Sequence, residues 1–251
     1  MKAWSGWILG IFLGALAMVR APAQVVPSAE EILARSDRNA VSETRIVLAE
    51  MTIRGRRESR TIKFKSWVRG KDKAFTEYLD PPREKGIKML KLGERLWTYS
   101  PDTDRAISIS GHMLRQSVMG SDFSYEDMME NRELHEVYRP KIAGEENVLE
   151  RPCWVLELTS KVEDAAYDRR KIWVDKERYV LLKEERYAKS GKLLKSLEVK
   201  SVIRIEGRWA QNDLVFKDAL KEGQGTEFKI ESVEFNATIP EELFTKASLR
   251  K

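Results

Sequence analysis

The sequence predicts a mainly β chain with a few helices (α+β), built as one large antiparallel sheet with the helices packed on one side. Three observations carry this expectation. Apolar and polar residues alternate with a period of two through a succession of short segments separated by turn residues. Helical patterning is confined to one N-terminal piece and one central insertion, so parallel crossovers have no helices to run through. A sheet of eleven or twelve strands must also curl, because strand twist accumulates, and curling gives it a concave face.

Taken in order, residues 1–23 read as a secretory signal peptide. Lys2 precedes an apolar run over residues 7–19, too short to cross a bilayer as a helix, and Ala21 and Ala23 fit a cleavage site before Gln24. An uncleaved N-terminal anchor is the alternative. No Cys stands near the site to take a lipid and no later segment is long and apolar enough to span, so a released, soluble protein of one domain, residues 24–251, is expected. Losing the segment removes Lys2 and Arg20 and lowers the formal charge from +5 to +3. Charges of both signs are interleaved, which describes a solvated surface rather than a nucleic-acid footprint. The basic clusters at 54–60 and 169–171 read as strand ends that resist edge-to-edge pairing, with contact to anionic lipid as the alternative.

Ser28 is placed to cap a helix ending near Asn39, with Glu31 as its capping-box partner and Ile32 and Leu33 on its apolar stripe. Val47, Ala49, Met51 and Ile53 then alternate with polar positions as a strand. A charged turn over 55–58 follows, and the next strand sets Ile62, Phe64 and Val68 on one face. Further strands are predicted at 75–79, 88–92, 95–99 and 106–110, separated by Pro81-Pro82, Gly93-Glu94 and Pro101-Asp102. Over 111–131 the alternation is lost, and short helices with a loop are expected, Ser124 capping one of them with Asp127 three residues on. Strands return at 135–138, 153–159, 170–175, 179–188, 192–205, 208–214 and 226–235, with hairpin turns at Ser190-Gly191 and Glu206-Gly207.

The strands are expected to carry large apolar groups on one face, Ile62, Phe64, Phe75, Leu79, Trp97, Tyr99, Trp154, Leu156 and Leu158, and that face needs a cover. The two helical pieces are the candidates. The central one holds Met113, Met119, Phe123, Met128 and Met129, and so many methionines in a short stretch make a soft, adaptable surface. That composition suits a movable lid over a cavity, and equally a filler of core gaps.

Chemistry-bearing motifs are scarce. There is no nucleophile elbow, dinucleotide fingerprint, phosphate loop or zinc-protease helix. Cys153 is the single cysteine, so no intramolecular disulfide forms, and with His112 and His135 as the only histidines neither a zinc site nor another cofactor is expected. A Ser/His/Asp arrangement through Ser121 and His135 is the enzymatic alternative.

One further reading comes from resemblance. Tyr78-Leu79-Asp80-Pro81-Pro82, Lys85 to Leu90, Leu96-Trp97-Thr98-Tyr99-Ser100-Pro101, Met119 to Asp127, Ile172-Trp173-Val174-Asp175 and Ile239-Pro240-Glu241-Glu242-Leu243-Phe244 occur in that order. The run, about residues 75–245, resembles the bacterial outer-membrane lipoprotein-sorting family, the LolA-like proteins. The resemblance implies an open half-barrel with helices on its concave face. It implies a periplasmic carrier of lipid or lipoprotein acyl chains. With the interleaved charge and the scarcity of catalytic motifs, the expectation is a monomeric, non-enzymatic protein that binds no nucleic acid, with an inner-membrane exporter and an outer-membrane acceptor as candidate partners. Cavity and lid residues would be Ile62, Phe64, Phe75, Leu79, Trp97, Tyr99, Met113, Met119, Phe123, Met128, Met129, Trp154 and Leu156. For the family's lid-holding arginine, Arg54 and Arg69 at strand ends are the candidates, each also readable as a solvated side chain. A scaffold whose sheet edges recruit a membrane-protein partner is the alternative to a carrier.

Overall fold

Alternation along the chain becomes thirteen strands in one antiparallel sheet, ordered β6-β5-β4-β3-β2-β1-β13-β12-β11-β10-β9-β8-β7. The computed structural model describes residues 26–40, 42–55, 58–130 and 132–251. The predicted signal segment, and Arg56 and Arg57 of the first turn, lie outside them. The first six strands are β1 (Thr44–Arg54), β2 (Ser59–Arg69), β3 (Lys73–Asp80), β4 (Lys88–Leu92), β5 (Arg95–Ser100) and β6 (Arg105–Ile109). The other seven are β7 (Tyr138–Val148), β8 (Arg151–Ser160), β9 (Arg169–Asp175), β10 (Leu181–Tyr187), β11 (Leu193–Ile205), β12 (Arg208–Asp218) and β13 (Gly225–Phe235). Each set is a meander, and the two join where β1 pairs with β13. No helix among the described residues is long and apolar enough to cross a membrane.

This order places β6 at one edge and β7 at the other, so the chain between them has to pass across a face of the sheet. That connection is the Met-rich insertion. It contains two 3-10 turns (Gly111–Arg115 and Val118–Gly120), helix α2 (Tyr125–Met129) and the single turn α3 (Leu134–Val137). Ser124 caps α2 in a full capping box with Asp127, as its spacing predicts. The sheet curls about this segment. Lys91 of β4 donates to the Met129 carbonyl at 2.9 Å and Arg186 of β10 to the Asp127 carboxylate at 2.9 Å. Those strands stand seven spacings apart in the order, roughly 33 Å if flat, yet they reach residues two apart in one helix.

Helix α1 (Ala29–Ala40) buries Ile32 and Leu33 completely against Trp154, Leu156, Leu158, Ile172 and Val174. The Ser28 hydroxyl accepts the Glu31 N–H at 3.1 Å as expected, while the Glu31 side chain pairs with Arg35. Asn39 ties the end of the helix to the carbonyls of Arg178 and Tyr179.

Two expectations are corrected. Residues 135–137 form the turn α3, and the strand predicted there starts at Tyr138 and runs to Val148. The cause is not local, since Asp37 of α1 accepts the N–H groups of Leu134 and His135 and so fixes the turn. The apolar groups of the sheet also do not share one face. Phe75, Trp97 and Tyr99 alternate onto the side opposite Ile62 and Phe64, and a third cover meets them there, the C-terminal segment with Ala237, Ile239, Phe244 and Leu249. Leu79, half-buried, is the residue skipped at the register shift between β2 and β3, where Lys63 faces Asp80 and Phe64 faces Tyr78, and it joins neither group. Cys153 lies buried under β9 and β10 residues including Trp173 and Leu182, and burial, helped by the Asp175 charge, pushes its thiol up to about 11, so it is an inert core group.

Candidate functional site

The site is the ground between residues 111–130 and the sheet. Its apolar part gathers Met51 of β1, Ile62 and Phe64 of β2, Tyr78 of β3, Met89 of β4, Leu96 of β5 and Ile109 of β6. Met113, Leu114, Val118, Met119, Phe123, Tyr125, Met128 and Met129 pack onto them from the insertion. Phe123 also sits edge-on to Phe216 of β12 and Phe228 of β13, with ring centroids 5.1 and 5.8 Å away. Of the residues expected at this site, the structure brings together Ile62, Phe64, Met113, Met119, Phe123, Met128 and Met129. Trp154 and Leu156 lie under α1, Phe75, Trp97 and Tyr99 belong to the other side of the sheet, and Leu79 sits at the register shift of β3 outside both groups.

Polar pins fasten the insertion in place. Asp127, fully buried, uses both oxygens: Oδ1 accepts Tyr167 Oη at 2.7 Å and Arg186 Nη1 at 2.9 Å, and Oδ2 accepts the Ser124 N–H and hydroxyl. Arg186 passes its other nitrogen to Glu184 at 2.8 Å, and Glu184 accepts Arg170, also at 2.8 Å. Arg170 in turn donates to the Tyr138 hydroxyl. At the other end of the insertion, the Asp122 carboxylate accepts the Thr226 hydroxyl and the Asp218 N–H, while Lys195 donates to the Asp122 carbonyl. Lys91, held down to about 8 by burial against the pull of Asp72 and Glu130, donates to Met129.

Sequence reasoning missed this network. Arg170, Glu184 and Arg186 sit in strands charged on both faces, and only the fold tells which of those charges turn inward. A second arginine reaches the insertion, from β2: Arg60, whose Nη2 donates to the Met119 carbonyl and Nη1 to Glu84 at 2.8 Å. Met119 has a left-handed backbone (φ 53°), an unusual conformation for a side-chain-bearing residue. Arg54 pairs with Glu227, and Arg69 holds Glu241 and the Ile239 carbonyl of the C-terminal segment.

The inward charges give the site a pH dependence. Burial alone works against the charge of Glu184, but Arg186 and Arg170 outweigh it and hold the carboxyl at about 2. A carboxyl lower in the folded than in the unfolded chain contributes stability that is complete above pH ~4.5 and is lost as pH falls toward ~2. At ~1.4 kcal/mol per pK unit the loss is about 3 kcal/mol. Urea midpoints measured from pH 5 to pH 2.5 are expected to fall accordingly, and Glu184→Gln to flatten that segment of the profile. An unaltered slope in the variant would show the carboxylate to be uncoupled from folding.

Two clefts open at the margins of the insertion. One of about 430 Å³ is lined by Arg115, Ser124, Glu126, Tyr167, Lys195 and Asp218 among others, and one of about 370 Å³ by Arg60, Arg83, Glu84, Ile87, Met119 and Gly120. Among the described residues one group with metal-ligand chemistry assembles, Asp37, Glu133 and His135. Asp37 is already occupied by the two α3 N–H groups and by His135 Nδ1 at 2.9 Å, and Lys71 stands 3.5 Å from Glu133, so the trio serves as a cap. Ser121, the other residue of the enzymatic alternative, is buried and exchanges hydrogen bonds with the Phe123 backbone.

A family model described as "Uncharacterized protein" matches residues 70–251, well over half of the chain. A DUF1329 family protein from Desulfovibrio piger superposes with a TM-score of 0.80 at 26% identity, covering 88% of this chain and 97% of that one. An outer membrane lipoprotein-sorting protein domain from Vibrio parahaemolyticus gives 0.76 at 26% identity, covering 89% and 98%. The chain belongs to the family that this model describes, and its structural neighbours make it LolA-like. A LolA superfamily protein from Nitrosomonas europaea shares the fold, with a TM-score of 0.73 at 22% identity over 89% of this chain and all of that one. No curated protein matches the sequence. In this LolA-like chain the Met-rich insertion is the connection between the two sheet edges, and Arg60, Lys91, Arg186, Lys195 and Lys221 are among the cations that hold it.

Proposed function

We propose that the protein is a periplasmic, non-enzymatic carrier that shelters the acyl chains of a lipid or lipoprotein between residues 111–130 and the curled sheet, in transit between the inner and outer membranes. In this reading the sheet is an open half-barrel and the insertion with α1 plugs its concave face. The observation that carries it is the apolar seam itself, in which Met113, Met119, Phe123, Met128 and Met129 meet Ile62 and Phe64. An acyl chain in water costs ~0.8 kcal/mol per exposed CH₂, so a carrier must hide it reversibly. Unbranched thioether side chains can fill the seam when it is empty and re-pack around a guest. Resemblance to a protein described as lipoprotein-sorting supports the cargo class.

The test is extraction of residues 24–251, purified from a periplasmic fraction, with organic solvent, followed by mass spectrometry. About one lipid per protein is expected for the native chain, and none for Phe123→Glu or Phe64→Glu with the fold intact by circular dichroism. Equal lipid in both variants would refute the seam as the site. The second reading, a scaffold, draws on the two unpaired edges of the sheet, where β6 exposes half of Ile107. It predicts a stoichiometric partner in a pull-down and no lipid.

A further inference from the structure

The cleft at Arg60, Arg83, Glu84, Ile87, Met119 and Gly120 is built from three kinds of group whose combination specifies a ligand. Glu84 is buried, its side chain 4% exposed, and satisfied on one side only: Oε1 accepts Arg60 while Oε2 has no hydrogen-bond partner among the described residues. A buried carboxylate oxygen left bare calls for a donor, and a charged donor is the strongest. Arg83, on the turn between β3 and β4, is exposed and has no partner among the described residues, so the mouth also offers a free guanidinium, the group suited to phosphate. Ile87 and Met119 line the same cleft and belong to the apolar seam beneath the insertion. A molecule held at the charged mouth therefore has its hydrocarbon beside the entrance to the seam.

We infer that this cleft receives the phosphoethanolamine headgroup of a phospholipid, its ammonium on Glu84 and its phosphate on Arg83, with the acyl chains passing between Ile87 and Met119. This rests on the carrier reading and adds the headgroup to it. The chemistry discriminates. A primary ammonium donates N–H bonds to the bare oxygen, whereas a choline headgroup has the same charge and no N–H, and a glycerol headgroup has hydroxyls and no positive charge. Sites built to hydrogen-bond a ligand reject analogues that lack the donor far more strongly than sites that only fit shape.

The test is calorimetric titration of residues 24–251, delipidated, with lysophosphatidylethanolamine and lysophosphatidylcholine of one chain length below their micelle concentrations, and with free phosphoethanolamine. The ethanolamine lipid is expected to bind at least about tenfold more tightly than the choline lipid, the preference falling to within about twofold in Glu84→Gln. Arg83→Gln, an exposed change that leaves the fold alone, is expected to weaken both lipids by about fivefold, the scale of one phosphate contact, and carries the test if Glu84→Gln fails to fold. Equal binding of the two lipids by the native chain, or a preference that survives in folded Glu84→Gln, overturns the headgroup assignment while leaving the carrier reading standing. Free phosphoethanolamine binding as tightly as its lysolipid would assign the cleft to a small soluble phosphate and overturn the lipid source. No binding of any lysolipid overturns both readings.

Discussion

A chain ended after Phe235 is expected to lose its cooperative fold and come out of the cell insoluble. The segment beyond it looks dispensable by position, since it holds only two short 3-10 turns (Glu241–Phe244 and Lys246–Arg250). Its side chains say otherwise. Ile239, Phe244 and Leu249 are almost wholly buried against Phe75, Leu90 and Trp97, on the face of the sheet that the insertion does not reach. At roughly 1.5–3 kcal/mol for each large side chain buried, the three together contribute about 5–9 kcal/mol, comparable with the ~5–15 kcal/mol that holds a typical domain. The strands underneath would be left with a contiguous apolar patch facing water, which favours aggregation. Arg69 and Lys73 on Glu241, and Lys88 on the Lys251 carbonyl, also lose their partners. Solubility and a thermal melt decide the point. A truncated chain that stays soluble and melts within a few degrees of the full one would mean that this face needs no cover.

The same segment shows where sequence reading stops. Period-two alternation and turn residues place nearly every strand, because a half-buried strand must alternate and a hairpin must turn. The capping pair Ser124 and Asp127 is equally local and equally legible. Face and order are not local. Phe75 and Ile62 look alike in sequence, and which of them meets the insertion depends on a register across β2 and β3 that includes a bulge between Lys63 and Phe64. That β6 and β7 end at opposite edges follows from the pairing of β1 with β13, a contact between residues nearly two hundred positions apart in the chain. The Met-rich stretch could be recognised as a soft packing surface from composition, but its polar pins could not. Asp127 reads as a helix cap, Tyr167 as a loop residue and Arg186 as one charge among many, until the fold sets them within hydrogen-bond reach.

Of those pins Asp127 is expected to matter most, and Asp127→Ala to cost about 3–5 kcal/mol, the range for breaking a buried pair by removing one partner. For a domain of this size that lowers the melting temperature by about 10 °C. The change removes the N-cap box of α2, leaves Tyr167 Oη without its acceptor and strands the Arg186 guanidinium on Glu184 alone, with its Nε already unpartnered among the described residues. Replacing a charge by a methyl in so dry a place cannot be compensated by water, since the Asp127 side chain is wholly inaccessible. The location of the damage separates two roles. If the pin only stabilises the whole, amide exchange rises uniformly with the lost stability. If it clamps the insertion, amides of 111–130 exchange by local opening while those of β8 and β9, under α1, stay protected. The second pattern is expected, because Asp127 joins the insertion to β10, whereas the core under α1 is built without it. A loss below ~1 kcal/mol, the scale of a solvated surface pair, would mean that the network is wet and the insertion is held by its apolar seam alone.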